Sequence, residues 1–206
     1  MRDRDEILGK LRQHKRPAQL PGPWPSRRDY SDLAATFCAA FIAAGGEARQ
    51  LASLAEVRRE IGAILEEAEA QRVLQNGDLP IELAPQWPQL EWQTAGEAPA
   101  ELHDFAIRAD VGITGVAAAL AETGSLLVTS GPGLSRMSSL LPPLHIAVVP
   151  RSAILADIFT WTAGRSEPPP TNMVLISGPS KSADIGMTLN TGVHGPGRVI
   201  ALVYED

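Results

Sequence analysis

The chain has 206 residues, 44% hydrophobic and 20% charged, with 18 basic against 24 acidic side chains and one cysteine. That composition suits one globular domain with an N-terminal extension and excludes wholesale disorder, while a net charge of -6 argues against an electrostatic grip on nucleic acid. Cys38 cannot form an internal disulfide, and a lone thiolate cannot supply an iron–sulfur cluster or a cysteine-rich zinc site.

In chain order, Arg2 to Lys15 has a helical rhythm of Ile7, Leu8 and Leu11 among charges, which Pro17 ends. This opening has no apolar core of the kind a signal peptide needs. The longest apolar stretch, near Ala34 to Ala44, falls short of the roughly 20 residues that span a bilayer, so a cytoplasmic protein is expected. Pro17, Pro21, Pro23 and Pro25 then form an extended connector, and residues 1–28 are read as an N-terminal helix and Pro-rich arm ahead of a single domain at 29–206. Asp29 is positioned to cap a helix through Phe37 and Phe41 to the Gly45-Gly46 stop. A strand at Glu47 to Leu51 follows, then an amphipathic helix from Ser53 to about Glu69 with Leu54, Val57, Ile61, Ile64 and Leu65 on one face. From Gln71 to Ala100, apolar pieces alternate with prolines and read as short strands and loops.

Five β-type runs occupy the second half: Val111 to Ile113, Ser125 to Thr129, His145 to Val149, Met173 to Ser177 and Val199 to Tyr204. Between them the pattern predicts helices at Ser152 to Trp161 and Ser182 to Leu189, and a short one near Ser135 to Leu141. Strands alternating with helices predict an α/β fold with a mostly parallel, buried sheet.

No G-x-G-x-x-G after a strand, P-loop, G-x-S-x-G elbow or H-E-x-x-H is present, which sets aside the common nucleotide-binding, serine-hydrolase and zinc-protease schemes. Glycine-bearing loops at strand ends remain. Ser177-Gly178-Pro179-Ser180-Lys181-Ser182, read as a strand-to-helix turn, could converge N–H groups, hydroxyls and an ammonium on a carboxylate or phosphate. The same turn also fits a plain helix cap at Ser180 or Ser182, with Asp184 complementing the helix dipole. Glu122, in Ala121-Glu122-Thr123-Gly124-Ser125, is either a base or nucleophile or a turn residue holding backbone N–H groups. His194, before Gly195, could donate to a ligand oxygen or satisfy loop carbonyls, whereas His145 leads straight into a strand and reads as structural. Thr114 and Gly115 offer a hydroxyl and a close backbone approach. No pair among His145, His194, Glu122 and Asp184 has metal-ligand helical spacing, and no protein-bound metal is expected.

Together, Gly112-Ile113-Thr114-Gly115, Ala121 to Ser125, Leu140-Leu141-Pro142-Pro143-Leu144-His145-Ile146-Ala147-Val148, Ser177-Gly178-Pro179-Ser180 with Ala183-Asp184-Ile185, and Gly192-Val193-His194-Gly195-Pro196 resemble the LUD domain, the family of lactate utilization protein C. The resemblance covers Asp110 to Asp206 in the family's order, and is looser upstream. It implies a three-layer α/β fold related to the NagB/RpiA/CoA-transferase group and a part in oxidising lactate to pyruvate beside iron–sulfur partner proteins. This chain would be the cluster-free component. On these motifs, Glu122 and His194 are the candidate catalytic residues, and Thr114, Gly115, Gly124, Ser177, Gly178, Ser180, Lys181 and Gly195 the candidate ligand-binding ones. Two other readings stand beside this one: a stand-alone acyl- or CoA-transferase-like enzyme using Glu122, and a scaffold whose glycine loops are only turns.

Overall fold

The computed structural model describes residues 2–13, 22, 24–97, 100–165, 170–183 and 189–206. Helix α1 (Arg2–Gln13) precedes the arm. Helix α2 (Leu33–Ala43) is capped by Asp32 rather than Asp29: the Asp32 carboxylate accepts from the Ala35 N–H at 3.1 Å. A cap must sit in extended backbone immediately before the first turn, and Asp32, at φ -141, does. Strand β1 (Glu47–Leu51) and helix α3 (Leu54–Glu67) fall where the pattern places them. Ser53 accepts from the Glu56 N–H, and the Glu56 carboxylate reaches back to the Ala52 N–H at 2.9 Å.

Strands β2 (Arg72–Gln75) and β3 (Glu91–Thr94) emerge from the proline-rich stretch. Ile81 to Leu83 does not pair as a strand; Leu83 is instead a buried plug beneath α3. Helix α4 (Leu102–Arg108), strand β4 (Val111–Thr114) and strand β5 (Ala118–Leu120) follow, α4 and β5 having no sequence expectation. Then come β6 (Ser125–Ser130), α5 (Met137–Leu140) and β7 (Leu144–Pro150). The helix expected over Ser152 to Trp161 is a correction: a single turn leads into strand β8 (Ile154–Leu155), and helix α6 (Ile158–Ala163) starts only after its cap, Asp157. Ile154 and Leu155 satisfy their backbone by pairing with Ala119 and Leu120, which overrides helical propensity there. Strand β9 (Asn172–Ile176) is followed by β10 (Lys181–Ala183), β11 (Leu189–Thr191) and β12 (Arg198–Tyr204).

The main sheet has six parallel strands in the order β1-β12-β7-β4-β2-β3. Its two central strands are buried on both faces, as a parallel sheet between two layers requires. Leu144, Ile146 and Val148 of β7 and Ile200, Leu202 and Tyr204 of β12 pack under Val57, Ile61, Ile64 and Leu65 of α3. The intervening Ala147, Val149, Val199, Ala201 and Val203 face α2 and a second, four-stranded mixed sheet ordered β8-β5-β6-β9. Each such fully buried Val, Leu or Ile contributes about 1.5–3 kcal/mol. Phe37 and Phe41 of α2 stack at 5.6 Å between the two sheets, and Leu74 with Phe105 and Ala106 of α4 forms a third apolar cluster. The architecture is the expected three-layer α/β one, with the mixed sheet as an addition.

Candidate functional site

Three loops enter the amino ends of three neighbouring parallel strands. Ala44-Gly45-Gly46 leads into β1, Leu141 to Pro143 into β7, and Gly192 to Gly197 into β12. The segment after β9 crosses beneath them. Gly178 lies at φ +99, and a Cβ there would stand 2.9 Å from the Ala44 carbonyl oxygen, so the turn is pressed against the end of α2 and needs glycine. The Ser180 N–H donates to the Pro196 carbonyl at 2.9 Å, the Gly192 N–H to the Ser180 carbonyl at 3.0 Å, and the Gly197 N–H to the Pro143 carbonyl at 3.0 Å. These bonds lace the loops together around a cavity of about 570 Å³ lined by Ser139, Leu140, Ser177 to Lys181 and His194 to Pro196.

The sequence expectation is corrected here in one respect. Lys181 to Ala183 does not open a helix; it pairs antiparallel with Leu189 to Thr191, in the register Lys181↔Thr191. The N–H groups that a helix terminus would have offered to an anion are partly committed to this hairpin, and strand pairing wins because it gives both segments partners at once. Asp184 and Ile185 lie outside the described residues. Lys181 reaches the Ala44 carbonyl at the end of α2, where the helix dipole favours a cation. It remains solvent-exposed and at the cavity wall.

Ser177 links the cavity to a line of hydroxyls. Its Oγ is 2.6 Å from Ser125 Oγ, which is 2.6 Å from Thr123 Oγ1, with Ser125 buried. Such a file can pass hydrogen-bond polarity from the turn at Thr123 to the cavity.

The remaining sequence candidates lie elsewhere. Glu122 is ion-paired with Arg28 of the arm, and its N–H donates to the Ala156 carbonyl at 3.0 Å; it does not line the cavity. Gly124, at φ +60, is wedged against α2, where a Cβ would meet the Phe41 nitrogen at 2.2 Å. Thr114 and Gly115 end β4 at the opposite, carboxyl edge of the sheet. Thr114 Oγ1 hydrogen-bonds the fully buried His145 Nε2 at 2.9 Å, and the Gly115 N–H donates to Asp78 Oδ1 at 3.1 Å. Burial pushes the His145 pKa down to about 3, so this imidazole is a neutral core group. Thus Ser177, Gly178, Ser180, Lys181, His194 and Gly195 share one cleft, whereas Glu122, Gly124, Thr114 and Gly115 do not belong to it.

Sequence reasoning missed Arg28 as the partner of Glu122, and Ser139 and Leu140 as cavity wall. The run Ser135-Arg136-Met137-Ser138-Ser139 carried the signal, three hydroxyls around one guanidinium, but only proximity to β9 gives it a place. Among the described residues lining the cavity there is no Asp or Glu, although the chain carries 24. Among the described residues, no group of three or more His, Cys, Asp or Glu converges as a metal site. Nor is any described helix long and apolar enough to cross a membrane.

The LUD domain model matches residues 35–204, and the chain belongs to that family. It is similar to lactate utilization protein C of Exiguobacterium sp., 42% identical over 123 residues that make up 56% of this chain and 53% of that protein. Against lactate utilization protein C of Bacillus subtilis the identity is 36% over 135 residues, 63% of this chain and 54% of the relative. The chain thus spans about half the length of these relatives. Its fold resembles the crystal structure of a DUF162 family protein from Deinococcus radiodurans, with a TM-score of 0.57 and 24% identity over 84% of this chain and 96% of that one.

Proposed function

We propose that this chain is a component of a lactate-utilisation system, the role named for its relatives, and that it binds a small carboxylate in the cleft between Ser177 to Lys181 and His194-Gly195. The observation that carries the reading is a cavity in an acidic protein whose described lining has no Asp or Glu and includes one ammonium, one imidazole and several hydroxyls. The Lys181 ammonium would pair with the carboxylate, Ser177 or Ser180 would donate to it, and His194 would address the neighbouring hydroxyl or keto oxygen. Cys38, the one cysteine, is buried in α2 with its thiol pKa pushed up by burial and then by Asp32, so the chain has no ligand set for a cluster. The electrons of lactate oxidation would therefore pass to iron–sulfur clusters on partner proteins. Glu122, ion-paired to Arg28 and not among the residues lining the cavity, gives the transferase reading less support.

The test is calorimetric titration of the purified chain with D-lactate, L-lactate and pyruvate, alongside Lys181→Ala and His194→Ala. Saturable binding of one of them, weakened at least ~10-fold by Lys181→Ala, is the expected result. Absence of binding, with normal lactate growth of a deletion strain, would sink the proposal. Loss of lactate growth without binding would transfer the role to a scaffold for partners.

A further inference from the structure

A second cavity, of about 420 Å³, continues along the same two walls. It lies between the start of β9, at Thr171 and Asn172, and the start of α5, at Arg136 and Met137, with Ser130 and Ser135 completing it. The first cavity is bounded by the far ends of those elements, Val174 to Ser177 and Ser139-Leu140. Asn172 and Ser177 are five residue steps apart, about 17 Å at roughly 3.3 Å per step in extended chain, so the two ends are distinct places in one trough.

The chemistry of the second end is uniform. Its wall contains no carboxylate among the described residues, and the exposed Arg136 guanidinium makes no hydrogen bond or ion pair to a described residue, only the Arg136 carbonyl being engaged, by Ser139. Four neighbouring side chains, Ser130, Ser135, Thr171 and Asn172, can each donate. Ser130 adds a separate observation: its Oγ is buried and has no hydrogen-bond partner among the described residues, which leaves its hydroxyl available to an acceptor. A planar guanidinium beside several hydroxyl and amide donors, with no competing anion, matches the acceptor-only oxygens of a phosphate group.

We propose that the Arg136 end of the trough is a second anion site, selective for a phosphate or phosphomonoester, formed by Arg136, Ser130, Ser135, Thr171 and Asn172. The site stands whether or not the Lys181 end takes lactate. Its one full positive charge and several groups able to donate suit a dianionic phosphate with three oxygens better than a monocarboxylate with two.

The experiment is a titration of uniformly ¹⁵N-labelled chain with inorganic phosphate at constant ionic strength, followed by amide chemical shifts, with chloride and lactate titrations as references. Expected is saturable movement of the Ser130, Ser135, Arg136 and Asn172 resonances with phosphate, weakened at least ~10-fold in Arg136→Ala. Ser130→Ala removes an unmet buried hydroxyl, so it should leave the melting temperature unchanged or raised while also weakening phosphate binding; this separates a site residue from a folding defect. Shifts confined to Ser177 to Lys181 and His194, or shifts equal for chloride and phosphate, would overturn the second site. Neither outcome would bear on the lactate proposal, which is read from the lactate titration alone.

Discussion

His145 is the clearest case of a side chain whose surroundings decide its chemistry. Buried within β7 and bonded to Thr114, it titrates near 3 in the folded state against about 6.5 when unfolded. Between these values the unfolded chain binds the extra proton, so folding stability rises with pH through that window and is lost as pH falls below about 6.5. The slope should approach ~1.4 kcal/mol per pH unit, and urea denaturation between pH 7 and 5 should show it in the native chain and not in His145→Gln. A pH-independent midpoint across that range in the native chain would refute the assignment. Gly112 makes a steric prediction of similar sharpness. A Cβ there would stand 1.7 Å from the Ser138 carbonyl oxygen, because α5 lies directly on β4. Gly112→Ala should therefore destabilise by roughly 3 kcal/mol or more, measured by denaturant unfolding; a loss under about 1 kcal/mol would mean that α5 shifts freely. What approaches Gly112 is a backbone carbonyl, not a ligand.

Among the elements, α6 shows how short helices are held. It has six residues and relies on its cap, Asp157, whose Oδ1 accepts from the Thr160 N–H and hydroxyl, both at 2.8 Å. Burial raises the Asp157 pKa, but the bonds from Ser26 and Thr160, with the charge of Arg28, outweigh it and hold the carboxyl below its ordinary range. Asp157→Ala should cost about 1–2 kcal/mol, whereas Ile200→Ala, in the middle of β12, should cost about 2–5 kcal/mol; equilibrium unfolding of both variants checks the order. Helix α3 and strands β1, β4, β6, β7, β9 and β12 were legible because their period and end signals agree with their final environment. Strand β8 and the hairpin of β10 and β11 were not, because each depends on pairing with a distant segment that outbids a helical local pattern.

For the whole molecule, residues 24–28 strap the arm onto the second sheet and α6. Arg28 pairs with Glu122, and Ser26 donates to Asp157. None of the described residues up to 28 contributes to the three apolar clusters, so a chain starting at Asp29 should keep its circular dichroism spectrum and lose only about 1–3 kcal/mol, the scale of one charged hydrogen bond and one partly exposed ion pair. Collapse of that truncated chain would show that the arm belongs to the core.

Taken residue by residue, the sequence determines on its own the α/β class, the buried parallel strands, the two amino-terminal helix–strand units and the glycine loops that carry the family resemblance. These follow from local periodicity and from residues such as glycine and proline whose conformational limits are intrinsic. The tertiary structure alone decides which loops meet. Ser177 to Lys181 and His194-Gly195 converge because β9 lies in the second sheet while β12 runs between β1 and β7 in the first, and Glu122 is paired instead with an arginine 94 positions earlier in the chain. Pairing across such separations is set by the summed burial of many side chains, a quantity that no local window contains.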